Sequence, residues 1–250
     1  MVAPRRERLH AATRAEIKQL ARQHMAAQGT TAIHLRAIAE QMGFTSQALY
    51  RYFKSRDALL TELIIDAYTD LATAMESARD ASPPDAASAR LFSMLMAYYQ
   101  WALSHPVDYT LIYGASIPDY QEPVEETGPV SMKPPELIFS LMLTTWHRGL
   151  LTIPAEYAVL PPQLVEGLAE IQARWQRFLA CELPVELLYT MITSWSRLHG
   201  LIMLAISGFL DEVNSPEAWY RFEVVTLLQR MGLSLEAETS SVPGRKEEDA

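Results

Sequence analysis

LRAIAEQMGFTSQALYRYFKSR, residues 35–56, is the stretch that decides the fold. Leu35, Ile38, Ala39 and Met42 recur at i, i+3, i+4 and i+7, which is one apolar face of a helix. Gly43 follows at once and supplies the positive φ that ends a helix without a steric penalty. Phe44 then fills the corner. Thr45 or Ser46 can cap the next helix, because a hydroxyl there satisfies an orphan backbone N–H. Leu49 and Phe53 lie four apart and face inward, leaving Gln47, Ala48, Tyr50 and Tyr52 to point elsewhere. Two short helices joined by a glycine-containing turn are the outline of a helix-turn-helix.

Working outward, a helix is expected over about Arg8–Gln28, with Ile17, Leu20, Ala21, His24 and Met25 as its inner stripe and Gly29 as its stop. His24 has no second His or Cys at metal spacing and reads as a packed helix residue. Arg5, Arg6 and Arg8 precede that helix, either as a frayed terminus or as an arm reaching phosphates or the minor groove. On the other side, a long helix runs from near Ser55 to about Asp80 without Pro or Gly, and it is the candidate lever between a head and a body. Ser82-Pro83-Pro84 breaks the pattern. Helices are then expected over about Asp85–Ser104, a short piece after Pro106, Pro134–Leu151, Gln163–Glu182, Pro184–Phe209 and Ser215–Met231. Residues 116–135 are rich in Pro and acid and read as a loop. Residues 152–162 read as a linker, and 234–250 as a disordered tail. No repeat and no strand pattern emerges, so the expected class is all-α: a three-helix head at 1–55, a larger helical body at 56–233 and the tail.

The net charge of −9 hides an asymmetry. Residues 1–60 hold ten Lys/Arg and four Asp/Glu, a net of +6; residues 61–250 hold eleven and twenty-six, a net of −15. A basic head on an acidic body suits a domain that meets phosphates while the body is repelled from them. The single cysteine, Cys181, excludes a disulfide framework within the chain and fits a reducing compartment. The first twenty residues lack an apolar core of signal-peptide length, and Gly200–Leu210 is about half a membrane span. These features lead us to expect a cytoplasmic protein associated with the nucleoid and not with a membrane.

Residues 38–60, IAEQMGFTSQALYRYFKSRDALL, resemble the DNA-binding signature of TetR-type transcriptional regulators, whose usual form is close to IAxxxGvsxxtlYxhFxsKexLl. Ile38, Ala39, Gly43, Leu49, Tyr50, Phe53, Ser55, Leu59 and Leu60 match. Phe44, Thr45, Tyr52 and Arg56 replace the common Val, Ser, His and Lys with groups of similar size, donor or charge. HPxxYxLxxG at 105–114 resembles TetR-type regulatory domains, and W-x-x-x-H-G at Trp195, His199 and Gly200 resembles the closing signature of one broad subclass of them.

A recognition helix presents its N-terminal residues to base edges in the major groove, while flanking groups hold phosphates. Gln47 is the candidate base reader, because its amide can pair with adenine N6 and N7 together; Ala48 can pack on a thymine methyl. Thr45 and Ser46 stand where hydroxyls and backbone N–H groups meet a phosphate. Arg36, at the start of the second helix, can reach the backbone or a base, and Lys54 and Arg56 add charge beside it. The resemblance implies phosphate contacts for Tyr50, Tyr52 and Arg56. One small head specifies few base pairs, so a two-fold dimer on a palindrome with half-sites about 34–36 Å apart is expected. The resemblance places the dimer helices at 184–209 and 216–231, with Leu188, Ile192, Trp219, Phe222 and Val225 as candidate contacts.

It also implies a pocket for a small, largely apolar effector. Aromatic and Met side chains line adaptable pockets and also fill ordinary cores. Tyr98, Trp101, Tyr109, Tyr113, Phe139, Met142, Trp146, Trp175, Trp195 and His199 are the candidates. The expected function is a ligand-responsive regulator, a repressor, whose partners are double-stranded DNA, a second copy of itself and a small effector. No cofactor or metal is called for. An enzyme is disfavoured because GxGxxG, P-loop, GxSxG, HExxH and CxxC patterns are all missing. The alternatives are a helical adaptor or dimerisation module without DNA binding, which would not explain the basic head, and a ligand-independent repressor.

Overall fold

A computed structural model describes residues 4–30 and 33–235. Every regular element among them is helical. In chain order these are α1 (Arg5–Gln28), α2 (Leu35–Gln41), α3 (Ser46–Leu49), α4 (Arg56–Asp80), α5 (Ala87–Ser104) and α6 (Pro106–Tyr113). They continue with α7 (Val124–Ser131), α8 (Lys133–His147), a 3-10 turn at Ala155–Tyr157, α9 (Pro162–Leu179), α10 (Val185–Ile206) and α11 (Pro216–Arg230). The chain divides into two compact units. The head holds the described residues up to Thr73 together with Ser104–Pro134; the body holds Ala74–Leu103 and the chain from Pro135 onward.

The head is built on a shared apolar core. From α1 it takes Ile17, Ala21 and Met25, from α2 Leu35, Ile38 and Ala39, and from the recognition segment Leu49 and Phe53. Leu59, Leu60, Leu63 and Ile64 of α4 complete it, with Leu111 of α6 and Ile117 beyond it. The core therefore reaches well past residue 55, where the helix-turn-helix motif ends. Polar ties hold the same elements: the Tyr68 hydroxyl donates to the Ile112 carbonyl at 3.2 Å, and the Thr61 and Tyr120 hydroxyls meet at 3.0 Å. Burial, with Glu122 nearby, pushes the Tyr68 phenol up to about 12.

In the body, Tyr99 stacks on Tyr220 at 4.4 Å between centroids, and the Tyr220 hydroxyl donates to the Leu95 carbonyl at 3.1 Å, joining α5 to α11. Phe139 of α8 packs on Trp175 of α9 at 4.4 Å. Leu187, Leu188, Met191, Leu198 and Ile202 give α10 its buried side.

Several expected boundaries shift for physical reasons. Helix α1 starts at Arg5, so the residues read as a frayed end or an arm form its first turn. Residues 116–135 are not one loop, since they contain α7 and the start of α8. Pro134 and Pro135 occupy the first turn of α8, where the missing N–H has no intrahelical partner anyway. Helix α8 stops at His147 because Gly149 turns to φ +69°, its N–H bonding the Trp146 carbonyl. Helix α9 stops at Leu179, with Ala180 left-handed at φ +52°. Helix α10 ends three residues before Phe209. The 152–162 linker is tied down, its Thr152 N–H bonding the Met231 carbonyl at 2.9 Å. Of the tail expected at 234–250, only Ser234 and Leu235 are among the described residues.

Candidate nucleic-acid interface

The turn after α2 forms as its residues dictate. Gly43 takes φ +67°, and the Phe44 N–H returns to the Ala39 carbonyl at 2.8 Å. Thr45 caps α3, its hydroxyl accepting from the Ala48 N–H at 3.2 Å. Helix α3 is a single turn, and the chain continues past it in tight turns, with the Phe53 N–H bonding the Leu49 carbonyl at 3.2 Å. Leu49 and Phe53 are fully buried anchors. Thr45, Ser46, Gln47, Tyr50, Lys54 and Arg36 are exposed around them, whereas Ala48, Tyr52 and Arg56 are half-buried. Ser55 caps α4 from its side chain, accepting from the Ala58 N–H at 3.0 Å.

Tyr52 packs against two rings. His10 of α1 stacks on it at 4.8 Å between centroids, and Phe44 lies at 6.3 Å. Arg14 donates to the Tyr52 carbonyl and to Glu62, and its guanidinium sits 4.2 Å from the centre of the Phe53 ring. Lys18 pairs with Asp66, and Arg22 with Asp108 at 2.8 Å. Three of the ten Lys/Arg of residues 1–60 thus brace α1 against α4, α6 and the recognition segment. The positive charge counted along the sequence is not all available to phosphates. What remains outward is Arg5, Arg6, Arg8, Arg36, Arg51 and Lys54, all exposed, with Arg56 beside Asp57 at 3.7 Å. Arg51, between two tyrosines on the exposed turn, was not singled out by sequence; its signal was only that of one more basic residue.

The model of the bacterial regulatory proteins of the TetR family matches residues 17–63, which hold this geometry. The model of the tetracycline repressor-like C-terminal domain matches residues 91–227. The chain belongs to the TetR family. Over 119 residues it is 39% identical to the HTH-type transcriptional regulator Rv1816 of Mycobacterium tuberculosis and to Mb1846 of Mycobacterium bovis. The match takes in 48% of this chain and 51% of each of those proteins, so the chain spans about half the length of the curated relatives it matches. Among solved structures, SCO4313, described as a regulatory protein, aligns with a TM-score of 0.71 and 29% identity, covering 91% of this chain and all of that one. The TetR-family regulator PfmR of Thermus thermophilus shares the fold at a TM-score of 0.56 and 16% identity, over 86% of this chain and 97% of that one. The family is one of transcriptional regulators, not of enzymes.

For a TetR-family member the body should hold the remaining candidates, and the structure sorts them. Tyr109, wholly buried, and Tyr113 belong to the head, 5.1 Å apart between centroids. Tyr98, Trp101, Phe139, Met142 and Trp175 are buried in the body. Trp146 is half-buried and lines a surface hollow of about 610 Å³ with His147, Gln176, Cys181 and Leu183. Trp195 is 39% exposed and stacks on His199 at 4.9 Å, an outward position unlike that of a pocket wall. Burial holds the His199 imidazole below its ordinary value. The dimer candidates also divide. Leu188 is fully buried within the protomer and serves its core, which corrects its assignment to a partner contact. Ile192 and Val225 are half-buried, while Trp219 and Phe222 stand 42% and 66% exposed. Helix α11 is apolar on two faces: Tyr220, Val224, Leu227 and Leu228 fill the core, and Trp219 and Phe222 do not. Among the described residues no His/Cys/Asp/Glu group could hold a metal, and no helix is long and apolar enough to cross a membrane.

Proposed function

We propose that this TetR-family chain is an effector-released repressor that binds a palindromic operator as a homodimer. The observation that carries this reading is the recognition segment itself. Leu49 and Phe53 fix it from below, while Ser46, Gln47 and Tyr50 are left exposed on one short surface. Gln47 reads bases, with Ala48 against a thymine methyl; Arg36, Thr45, Ser46, Tyr50, Tyr52, Lys54 and Arg56 hold phosphates. Arg51 joins them. The second copy docks on the aromatic outer face of α11, through Trp219, Phe222 and Val225, with Ile192 of α10. Large exposed aromatics rimmed by charge are what a partner surface requires.

The effector is a small, mostly apolar molecule taken up among the body's aromatic and methionine side chains, Tyr98, Trp101, Phe139, Met142, Trp146 and Trp175. It shifts the population toward a state whose α4 holds the two heads at the wrong spacing, and DNA affinity falls by the ratio of its affinities for the two states. RolR, a structural neighbour at a TM-score of 0.51 and 16% identity, was crystallised with resorcinol; at that identity the likeness supports the fold alone.

The test is selection of genomic DNA fragments by the purified protein, followed by salt titration of the winner. Enrichment of a palindrome, lost on Gln47→Ala and weakened by salt, is the expected result. Folded dimeric protein that enriches nothing at low salt would instead favour the adaptor reading. A thermal-shift screen separates effector-released from ligand-independent repression, since a ligand that binds only the folded state raises the melting temperature.

A further inference from the structure

We infer that the first turn of α1 is a second phosphate grip, in which Arg6 contacts the DNA backbone beside Tyr52. Arg6, His10 and Arg14 follow one another at i, i+4 and i+8, so they form a single stripe along α1. Two of the three touch Tyr52. The His10 ring stacks on the Tyr52 ring at 4.8 Å, and Arg14 donates to the Tyr52 carbonyl. The stripe therefore runs along the recognition segment, and Arg6 extends it by one further turn, roughly 6 Å beyond His10. Arg6 is exposed, and so are Arg5 and Arg8.

Their placement needs a reason. Three arginines crowd the positive end of the α1 dipole, with Glu7 the one acid in that turn and no side-chain cap at Pro4. Cations there weaken a helix. An anion brought to the turn reverses that balance, because it meets arginine side chains and helix dipole together. The polyanion that this protein's family binds supplies such charges in a row, and Tyr52 marks where the row passes. Arg8 lies about 200° around the helix from His10, on the side away from Tyr52, and so serves as an internal control. Arg5, about 140° around the helix from His10, also points away from the Tyr52 side.

This inference rests on the reading that Tyr52 meets a phosphate. The experiment is fluorescence anisotropy of the full-length protein on its enriched operator, over a series of salt concentrations. Arg6→Ala, Arg6→Lys, Arg8→Ala and, as a separate arm, Tyr52→Phe and Gln47→Ala are compared. Arg6→Ala should weaken binding about 3- to 10-fold, alike on operator and on unrelated duplex, and lower the slope of log K against log salt by about 1. Arg6→Lys should keep the slope, and Arg8→Ala should change neither quantity. Wild-type affinity and slope in Arg6→Ala, or equal losses in Arg8→Ala, would overturn the inference, the second pointing to diffuse charge and not a grip. If Arg6→Ala is silent while Gln47→Ala and Tyr52→Phe lose binding, the grip fails and the DNA-reading segment stands. If all of them are silent, that reading fails as well. All the substituted side chains are exposed apart from the half-buried Tyr52, whose ring is kept in Phe, so circular dichroism should show unchanged folds.

Discussion

Arg22 of α1 donates from one guanidinium nitrogen to both carboxylate oxygens of Asp108 of α6, at 2.8 and 3.0 Å. Asp108 is 5% exposed, and its burial raises its carboxyl above the ordinary value even though Arg22 pulls the other way. The folded state thus binds a proton at Asp108 more readily than the unfolded chain, and the strain of the charged form is relieved as pH falls. Arg22→Ala strands that carboxylate, and a loss of about 3 kcal/mol at pH 7 is expected. Because the variant's carboxyl rises further still, the loss should shrink as the medium is acidified toward the unfolded value of 3.8. Urea unfolding of the full chain at pH 7 and pH 5 measures both. An equal loss at the two pH values would mean that something other than the pair is responsible.

The head should not fold from its motif alone. Leu59, Leu60, Leu63, Leu111 and Ile117 are all buried in the core that Ile17, Ile38 and Phe53 share. A fragment of residues 1–55 leaves those inner faces bare, and it lacks Glu62, Asp66 and Asp108, which hold Arg14, Lys18 and Arg22. Its far-ultraviolet circular dichroism should show little helix and no cooperative melting. A well-folded fragment would show that the later segments are only attached to the head and do not complete it.

That contrast shows what could be read in advance. The two-helix motif was legible because Leu35, Ile38 and Ala39 keep helical spacing and Gly43 then takes the one backbone conformation its neighbours avoid. The return of residues 104–134 to the head was not legible. Leu111 and Ile117 are apolar like any core residue, and nothing local says which core they join. Helix α7 was missed because its surroundings are rich in Pro and acid, yet Pro129 lies inside it and Glu125 and Glu126 fall in its first turn, where acids suit the helix dipole. The charge count was legible, but its division was not: Arg14, Lys18 and Arg22 look as basic in sequence as Arg36 or Lys54. The aromatic residues of the body carry the least information, since Phe139 against Trp175 is the same chemistry whether it lines a pocket or fills a core.

The cap on α3 predicts a local effect with a functional readout. Thr45→Ala removes the oxygen that accepts from the Ala48 N–H, and stability should fall by about 1 kcal/mol. Operator affinity should fall as well, because Gln47 is presented by that one turn. Thr45→Ser keeps the oxygen and should retain both properties. Chemical denaturation and anisotropy, run in parallel on the two variants, separate loss of order from loss of a phosphate contact.

His199 predicts a pH dependence of the opposite sign to that of Asp108. Burial lowers its pKa, so the folded state binds a proton there less readily than the unfolded chain. Its contribution is present above the unfolded value of 6.5 and is lost as pH falls below it toward the folded value. His199→Gln should flatten the pH dependence of stability between about pH 7.5 and 5.5. An unchanged slope in denaturation curves across that window would assign it to other groups.

The outer face of α11 gives the sharpest test of assembly. Phe222 is 66% exposed and Trp219 42%, three residues apart on a helix whose opposite side, Tyr220, Val224 and Leu228, is buried almost completely. Phe222 lies mostly outside the protomer's core, so a charge there should leave the fold intact. At a symmetric interface the same substitution appears twice, bringing like charges together in a place that loses water. For the dimer proposed above, Phe222→Glu should therefore give monomers in light scattering after size exclusion, at unchanged helical content. Operator binding should drop at least tenfold and lose its dependence on half-site spacing, since two linked heads no longer engage together. Arg221, whose guanidinium lies 5.0 Å from the Phe92 ring, is the neighbouring control: Arg221→Gln should remain dimeric. A dimeric Phe222→Glu protein would move the interface to another surface, and a monomeric wild type would remove the two-fold geometry altogether.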